Sequence, residues 1–292
     1  MSGRTFKARS ADGPMMFPAL EMHYPEAQRI MQDEYAIRML SPSLRMAVLA
    51  MAWRPLRNLM MRSLDKQTPG LWGGMVARKR YADDRVDEAL AEGIKQFVIL
   101  GAGFDTRAFR LIAPAGADAF EVDLPDNSAR KKASLQRVLG NVPPHVTLAA
   151  VDFESDDLED SLVAQGFRPE LPAMYVMEAV TQYLTPEAVG RLFTVLSNAA
   201  ASSRLEFTYV RRDFLEGKEL YGWDKVHEQW VVKDNYWRWG LYPDDVDEFL
   251  ERYGWDVRDH VGADDYRVRY FEPAGRDLSA IDVERFVSAE KL

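Results

Sequence analysis

The chain has 292 residues, enough for one large α/β domain or two small ones. Hydrophobic residues make up 47% of it, which supports a sizeable core, and a net charge of -9 leaves no general basic surface to hold nucleic acid. The absence of cysteine excludes disulfides and thiolate metal sites and fits a reducing cytoplasm, and the four histidines show no i, i+4 pairing that would suit zinc. No run approaches the roughly 18 apolar residues needed to span a bilayer. The first residues lack the apolar centre of a signal peptide. The expectation is a cytoplasmic protein with a small-molecule partner, no metal, no membrane and no nucleic acid.

Residues 1 to about 20 are polar and proline-punctuated, and are expected to be mobile at the start. Residues 33–40 predict a short helix ended by Ser41-Pro42, because the residue before proline resists the α region. A second helical stretch, 44 to about 64, contains Pro55, which should kink it or split it in two. Its methionines and arginines fit an amphipathic helix with one core face; a substrate-access lid or a dimer contact is the alternative. A third helix is expected over 72–91. Its Arg78, Lys79, Arg80 and Arg85 alternate with acids, which predicts a salt-bridged face, though a basic residue near its start could reach a pocket.

The centre of the chain is Phe97-Val98-Ile99-Leu100-Gly101-Ala102-Gly103. An unbroken apolar run that meets glycine reads as a buried parallel strand, and the glycines let the backbone turn and approach a ligand. From there strands (97–100, 119–123, 146–151, 173–177, 204–210) alternate with helices (105–112, 126–139, 157–165, 186–200). That alternation predicts an α/β fold, a doubly wound and mostly parallel sheet with helices on both faces. Residues 211–242 break it with an unusual density of aromatics, including four of the seven tryptophans. Helix 243–252 and strands 255–260 and 266–271 would then close the sheet with an antiparallel hairpin, leaving a polar tail from Arg276 to dock or fray.

The position three after Gly103 is Thr106, so the third glycine of a dinucleotide fingerprint is missing. The turn suits a nucleoside without a phosphate to cradle, of which S-adenosylmethionine (SAM) is the commonest. Three acids, Asp123, Asp152 and Glu178, follow at the carboxyl ends of successive strands, where ligands of open parallel sheets bind. Asp123 lies about 20 residues past the glycine turn, the place of an acid that accepts from both ribose hydroxyls. Glu121 is its rival on the same sheet face. Asp152 suits the adenine amino group, with Phe153 as a stacking surface, and Glu178 could face the ammonium or the sulfonium.

The stretch from Val76 to Leu111, then Glu121 to Pro125 with Lys131 or Lys132 after it, Val151-Asp152-Phe153 and Glu178 to Glu187, resembles the leucine carboxyl methyltransferase family in order. It is most like the family's bacterial branch of SAM-dependent O-methyltransferases. Residues 33–40 resemble the family's N-terminal D-P-Y-A segment, with Glu34 where proline is usual. The resemblance covers roughly residues 30 to 210 well. It implies a class I, Rossmann-like methyltransferase fold: a helical N-terminal extension (1–92), a methyltransferase domain (93–292), and within it an aromatic-rich lid (211–242). It also implies SAM bound by Arg78 at the methionyl carboxylate, and by Gly101, Gly103, Asp123, Asp152, Phe153 and Glu178. Arg107 and Arg110 are expected to pair with acids nearby.

A carboxylate acceptor is already anionic and needs no general base, whereas a phenol, with a pKa near 10, does. The expected reaction is therefore O-methylation of a small acid, possible alternatives being a phenol or the C-terminal carboxylate of a protein. A nicotinamide dehydrogenase and a non-catalytic SAM-binding protein are remote alternatives. Tyr183, Arg211 and His227 are the candidates to hold or deprotonate the acceptor, Arg212 beside them. Oligomeric state stays open.

Overall fold

The computed structural model describes residues 13–292. Residues 1–12, where most of the expected mobile start falls, lie outside the described residues. Residues 13–20 are ordered: a tight turn leads into helix α1 (Met16–Glu21), whose Ala19 and Leu20 are buried. Helix α2 (Ala36–Met39) stops before Ser41-Pro42 as the proline requires. The next stretch splits into α3 (Pro42–Ala50) and α4 (Arg54–Gln67). Pro55 sits in the first turn of α4, where the missing N–H costs nothing. Helix α5 (Leu71–Ala91) runs into the sheet.

The strands are β1 (Gln96–Leu100), β2 (Asp118–Asp123), β3 (Val146–Ala150), β4 (Ala173–Met177), β5 (Arg204–Arg211), β6 (Gly240–Leu241), β7 (Trp255–Val261) and β8 (Glu284–Lys291). They lie in the order β3-β2-β1-β4-β5-β8-β7, with short β6 beside β5. Strands β1 to β5 are parallel, and β8 runs antiparallel between β5 and β7. Chain order reverses between β1 and β4, so the crevice at their carboxyl ends is the topological switch point of the sheet. Helices α6 (Pro125–Leu139), α7 (Leu158–Val163) and α8 (Pro186–Leu196) connect the parallel strands.

Each central strand divides its side chains between two cores, as the two-residue period demands. Phe97, Ile99, Met174 and Val176 join the N-terminal helices, with Leu20, Met39, Val76 and Tyr81, in one core. Val98, Leu100, Tyr175 and Met177 face α7 and α8 in the other. The helices before β1 thus share a core with the sheet.

Two expectations fail at the closing edge. Residues 266–271 are not a strand. They continue a helical turn (Ala263–Tyr266) as a π-helical turn (Arg267–Phe271), with Tyr266 and Phe271 buried and Val268 exposed. The apparent alternation of Tyr-Arg-Val-Arg-Tyr is therefore not a sheet pattern. The turn is fixed instead by its start, where Gly262 N donates to Asp265 Oδ2 and Ala263 N to Asp282 Oδ1. The true closing strand, β8, lies in the polar tail expected to dock or fray. Its polar residues are partnered: Glu284 with Arg78, Ser288 with Glu206, and Glu290 with Arg204 and Arg258.

Candidate active site

The carboxyl ends of β1, β2 and β4 border a cavity of about 190 Å³. All seven residues assigned to the nucleoside from the sequence, Arg78, Gly101, Gly103, Asp123, Asp152, Phe153 and Glu178, line it, as does Tyr183. Gly101 and Gly103 take left-handed backbone conformations, with φ of 66° and 46°. At Gly101 a Cβ would also lie 2.5 Å from Val180 Cγ2, so both dihedral and packing demand glycine. The amides of Gly101 and Ala102 donate to Val122 O, bending the turn over the end of β2.

Asp123 fastens that turn. Its Oδ2 accepts from Gly103 N at 2.6 Å, and its Oδ1 from Leu124 N at 2.7 Å and Asn127 Nδ2 at 2.8 Å. A carboxylate offers about four lone-pair directions, so Oδ2 retains acceptor capacity. Glu121, the rival, is withdrawn from the cavity: it is 2% exposed and bound to Lys131 Nζ at 2.5 Å. Burial, opposed by Lys131, pushes its pKa up to about 7. Asp152 Oδ1 accepts from Glu154 N at 3.0 Å, which turns the chain so that Asp152, Phe153 and Glu154 all border the cavity.

At the β4 side the site is built of charges. Glu178 takes Arg78 Nε at 3.0 Å, Lys79 Nζ at 3.0 Å and Arg107 Nη1 at 2.8 Å. Burial would raise its pKa, but Lys79, Arg107 and Arg78 together outweigh that and hold the carboxyl well below its usual range. Arg78, expected at the methionyl carboxylate, and Glu178, expected at the ammonium or the sulfonium, also contact each other, and Arg78 pairs with Glu284 as well. Arg107 is buried against Asp83 at 2.7 Å, Asp105 and Lys79 O, and Arg110 against Asp83 at 2.7 Å. Neither lines the cavity.

The sequence missed Lys79, Asp105 and Asn127, all of which line the cavity. Lys79 was hidden in a basic run, although it adjoins Arg78 on the same helix. Asn127 is one helical turn beyond Asp123, and its Oδ1 is buried with no partner among the described residues, an acceptor pointing to a missing donor.

The remaining acceptor candidates separate. Tyr183 is at the cavity, half-buried, its pKa raised by desolvation. Arg211 is turned onto Asp213 at 2.5 Å and stacks over the Tyr221 ring, and Arg212 pairs with Glu216. His227 packs edge-on against Phe214, with Nε2 3.4 Å from Leu215 O. None of these three lines the cavity, so the structure does not bring them to it. The aromatics of 211–242 mostly form their own core around Phe214 and Trp237, into which Tyr183 also packs.

The strand order with a glycine turn and acids at the switch point defines the class I methyltransferase fold. The sequence profile described as leucine carboxyl methyltransferase matches residues 12–197. The chain belongs to that family. A protein of Mycolicibacterium gilvum, provisionally named as an S-adenosyl-L-methionine-dependent methyltransferase, is 31% identical over 63% of this chain and 62% of its own length. One of Mycolicibacterium smegmatis, provisionally named likewise, is 32% identical over 67% of this chain and 69% of its own length. The match thus spans less than two thirds of the M. gilvum protein. Among solved structures, a DUF574 family protein of Streptomyces avermitilis superposes with a TM-score of 0.57 at 15% identity, covering 96% of this chain and 97% of that one. A provisionally named methyltransferase of Thermobifida fusca gives 0.58 at 18% identity, covering 94% and 97%. These two carry the fold alone.

Proposed function

We propose that the chain is a SAM-dependent O-methyltransferase whose acceptor is the carboxylate of a small molecule. The observation that carries the cofactor is the convergence of Arg78, Gly101, Gly103, Asp123, Asp152, Phe153 and Glu178 on one cavity. The donor set fits SAM: the remaining capacity of Asp123 suits ribose hydroxyls, the unpartnered Asn127 Oδ1 suits a hydroxyl or amine donor, and Phe153 offers a ring beside Asp152 for an adenine. Arg78, Lys79 and Glu178 together present cations and an anion to the zwitterionic methionyl end. SAM supplies an electrophilic methyl group on its sulfonium.

The protein's part is positioning, which can lower a barrier by roughly 7–11 kcal/mol. The carboxylate reading rests on the histidines and on three titratable groups of the cavity among the described residues. None of the four histidines lines the cavity. Burial raises the Tyr183 phenol, and Asp105 and Glu178 are held ionised by cations, so none is suited to take a proton near neutral pH. An acceptor that arrives as an anion needs none of them.

The test is methyl transfer from radiolabelled SAM to a panel of carboxylic acids and phenols. Product that releases labelled methanol in mild alkali is an ester and supports the reading. Alkali-stable product, formed from phenols only, would overturn the carboxylate assignment.

A further inference from the structure

Helices α3 and α4 carry a surface unlike the rest of the molecule. Met46, Leu49, Trp53, Leu56 and Leu59 are 66, 44, 66, 37 and 67% exposed. Met46 and Leu49 on α3, and Leu56 and Leu59 on α4, are each three residues apart, the spacing that places two side chains on one side of a helix, and Trp53 stands in the turn between the two helices. Exposed apolar residues on a monomer are ordinarily scattered singly.

The opposite side of the pair is firmly seated. Val48 and Met51 are buried, His23 Nε2 bonds Val48 O at 2.9 Å, and the Arg57 guanidinium lies 4.3 Å from the Tyr24 ring centre. The outward apolar row is therefore a feature of the folded chain.

Its charge is also reversed. Residues 41–67 contain Arg45, Arg54, Arg57, Arg62 and Lys66 against Asp65 alone, in a chain whose net charge is -9. Arg45, Arg54, Arg62 and Lys66 are exposed and have no acidic partner among the described residues. An apolar row with leucines and an exposed tryptophan, flanked by unpaired cations, is the composition of a helix that lies in a membrane interface.

We propose that α3 and α4 form a docking surface for an anionic lipid bilayer. Met46, Leu49, Leu56 and Leu59 would enter the boundary between headgroups and acyl chains, with Trp53 at headgroup level and the four cations on anionic lipid. A second copy offering the same face would set these cations against one another. The surface stands against the expectation of no membrane partner, which rested on the lack of a spanning run; a peripheral helix needs none. It is also close to the chemistry: α3 packs on α1, and Pro14 and Met15, just before α1, line the cavity.

The full chain should be sedimented with vesicles of phosphatidylcholine alone or mixed with phosphatidylglycerol, alongside Trp53→Ser/Leu59→Ser and Arg54→Glu/Arg62→Glu variants. The expected result is at least about five-fold more protein on the anionic vesicles, declining with salt. Each double variant should lose most of that binding while keeping its circular dichroism spectrum and melting temperature. No binding to anionic vesicles at low salt would overturn the proposal, as would binding that the Trp53→Ser/Leu59→Ser variant retains. A wild-type dimer that this variant converts to monomer, without vesicle binding, would assign the face to a second copy instead.

Discussion

Around β1 to β4, ionisable side chains gather at an open crevice; in the rest of the sheet, the closing half from β5 to β8, buried Glu206 and half-buried His260 lie away from it. Glu178 faces three cations at the cavity wall. Among the described residues Glu206 on β5 is hydrogen-bonded only by the Ser288 hydroxyl, at 2.7 Å, and burial pushes its pKa up to about 8. His260 on β7, pushed down to about 4 by burial and then by Arg285, is held by Tyr209 and Arg285. Neither Glu206 nor His260 lines the cavity. A perturbed pKa therefore does not distinguish a site from a buried structural group. An open cavity beside the group does.

The strongest test of that contrast is Glu178→Ala. It strands Arg78, Lys79 and Arg107 without their common anion, and should destabilise the fold by about 3–5 kcal/mol in chemical denaturation and abolish SAM binding. A stable variant with unchanged SAM affinity would show the cationic ring to be incidental. Asp123→Ala comes next: losing the ribose acceptor and the clip on Gly103 should weaken SAM binding by roughly 1–3 kcal/mol in calorimetry. Full affinity in the folded variant would remove Asp123 from the ligand.

In the closing half the effect is one of pH. Glu206 has a folded pKa above its unfolded value, so it binds its proton more tightly when folded. Its contribution is greatest below the unfolded pKa, about 4.3, and is lost as pH rises towards 8. Glu206→Gln should therefore raise the melting temperature by several degrees at pH 9 and by much less at pH 4. A difference independent of pH would mean that folding does not shift the Glu206 pKa. The smallest effect belongs to His227→Ala. It removes an edge contact with Phe214, costs about 1 kcal/mol of stability and leaves SAM affinity unchanged within about two-fold. A large loss of SAM affinity would bring the aromatic segment into the site.

The same division governs what the sequence revealed. Strands β1 to β4 were legible because each is a short apolar run punctuated by glycine or an acid, and a parallel sheet places the residue after such a run in the crevice. Glu178 and Asp123 could be located without knowing their neighbours. Other residues of the cavity could not: Lys79 and Asp105 reach it through tertiary packing of α5 and the β1 turn. Strand β8 was obscured because Glu284, Ser288 and Glu290 are paid for by partners far away in the chain, Arg78, Glu206 and Arg204 among them. The aromatics of 211–242 read as a lid, yet packing among themselves satisfies most of them.

Calorimetric titration of the purified protein with SAM, with NADPH in parallel, tests the central claim most directly. Saturable one-to-one binding of SAM and none of NADPH is the predicted result. Binding of NADPH, or no heat with SAM from folded protein, would contradict the assignment of the crevice.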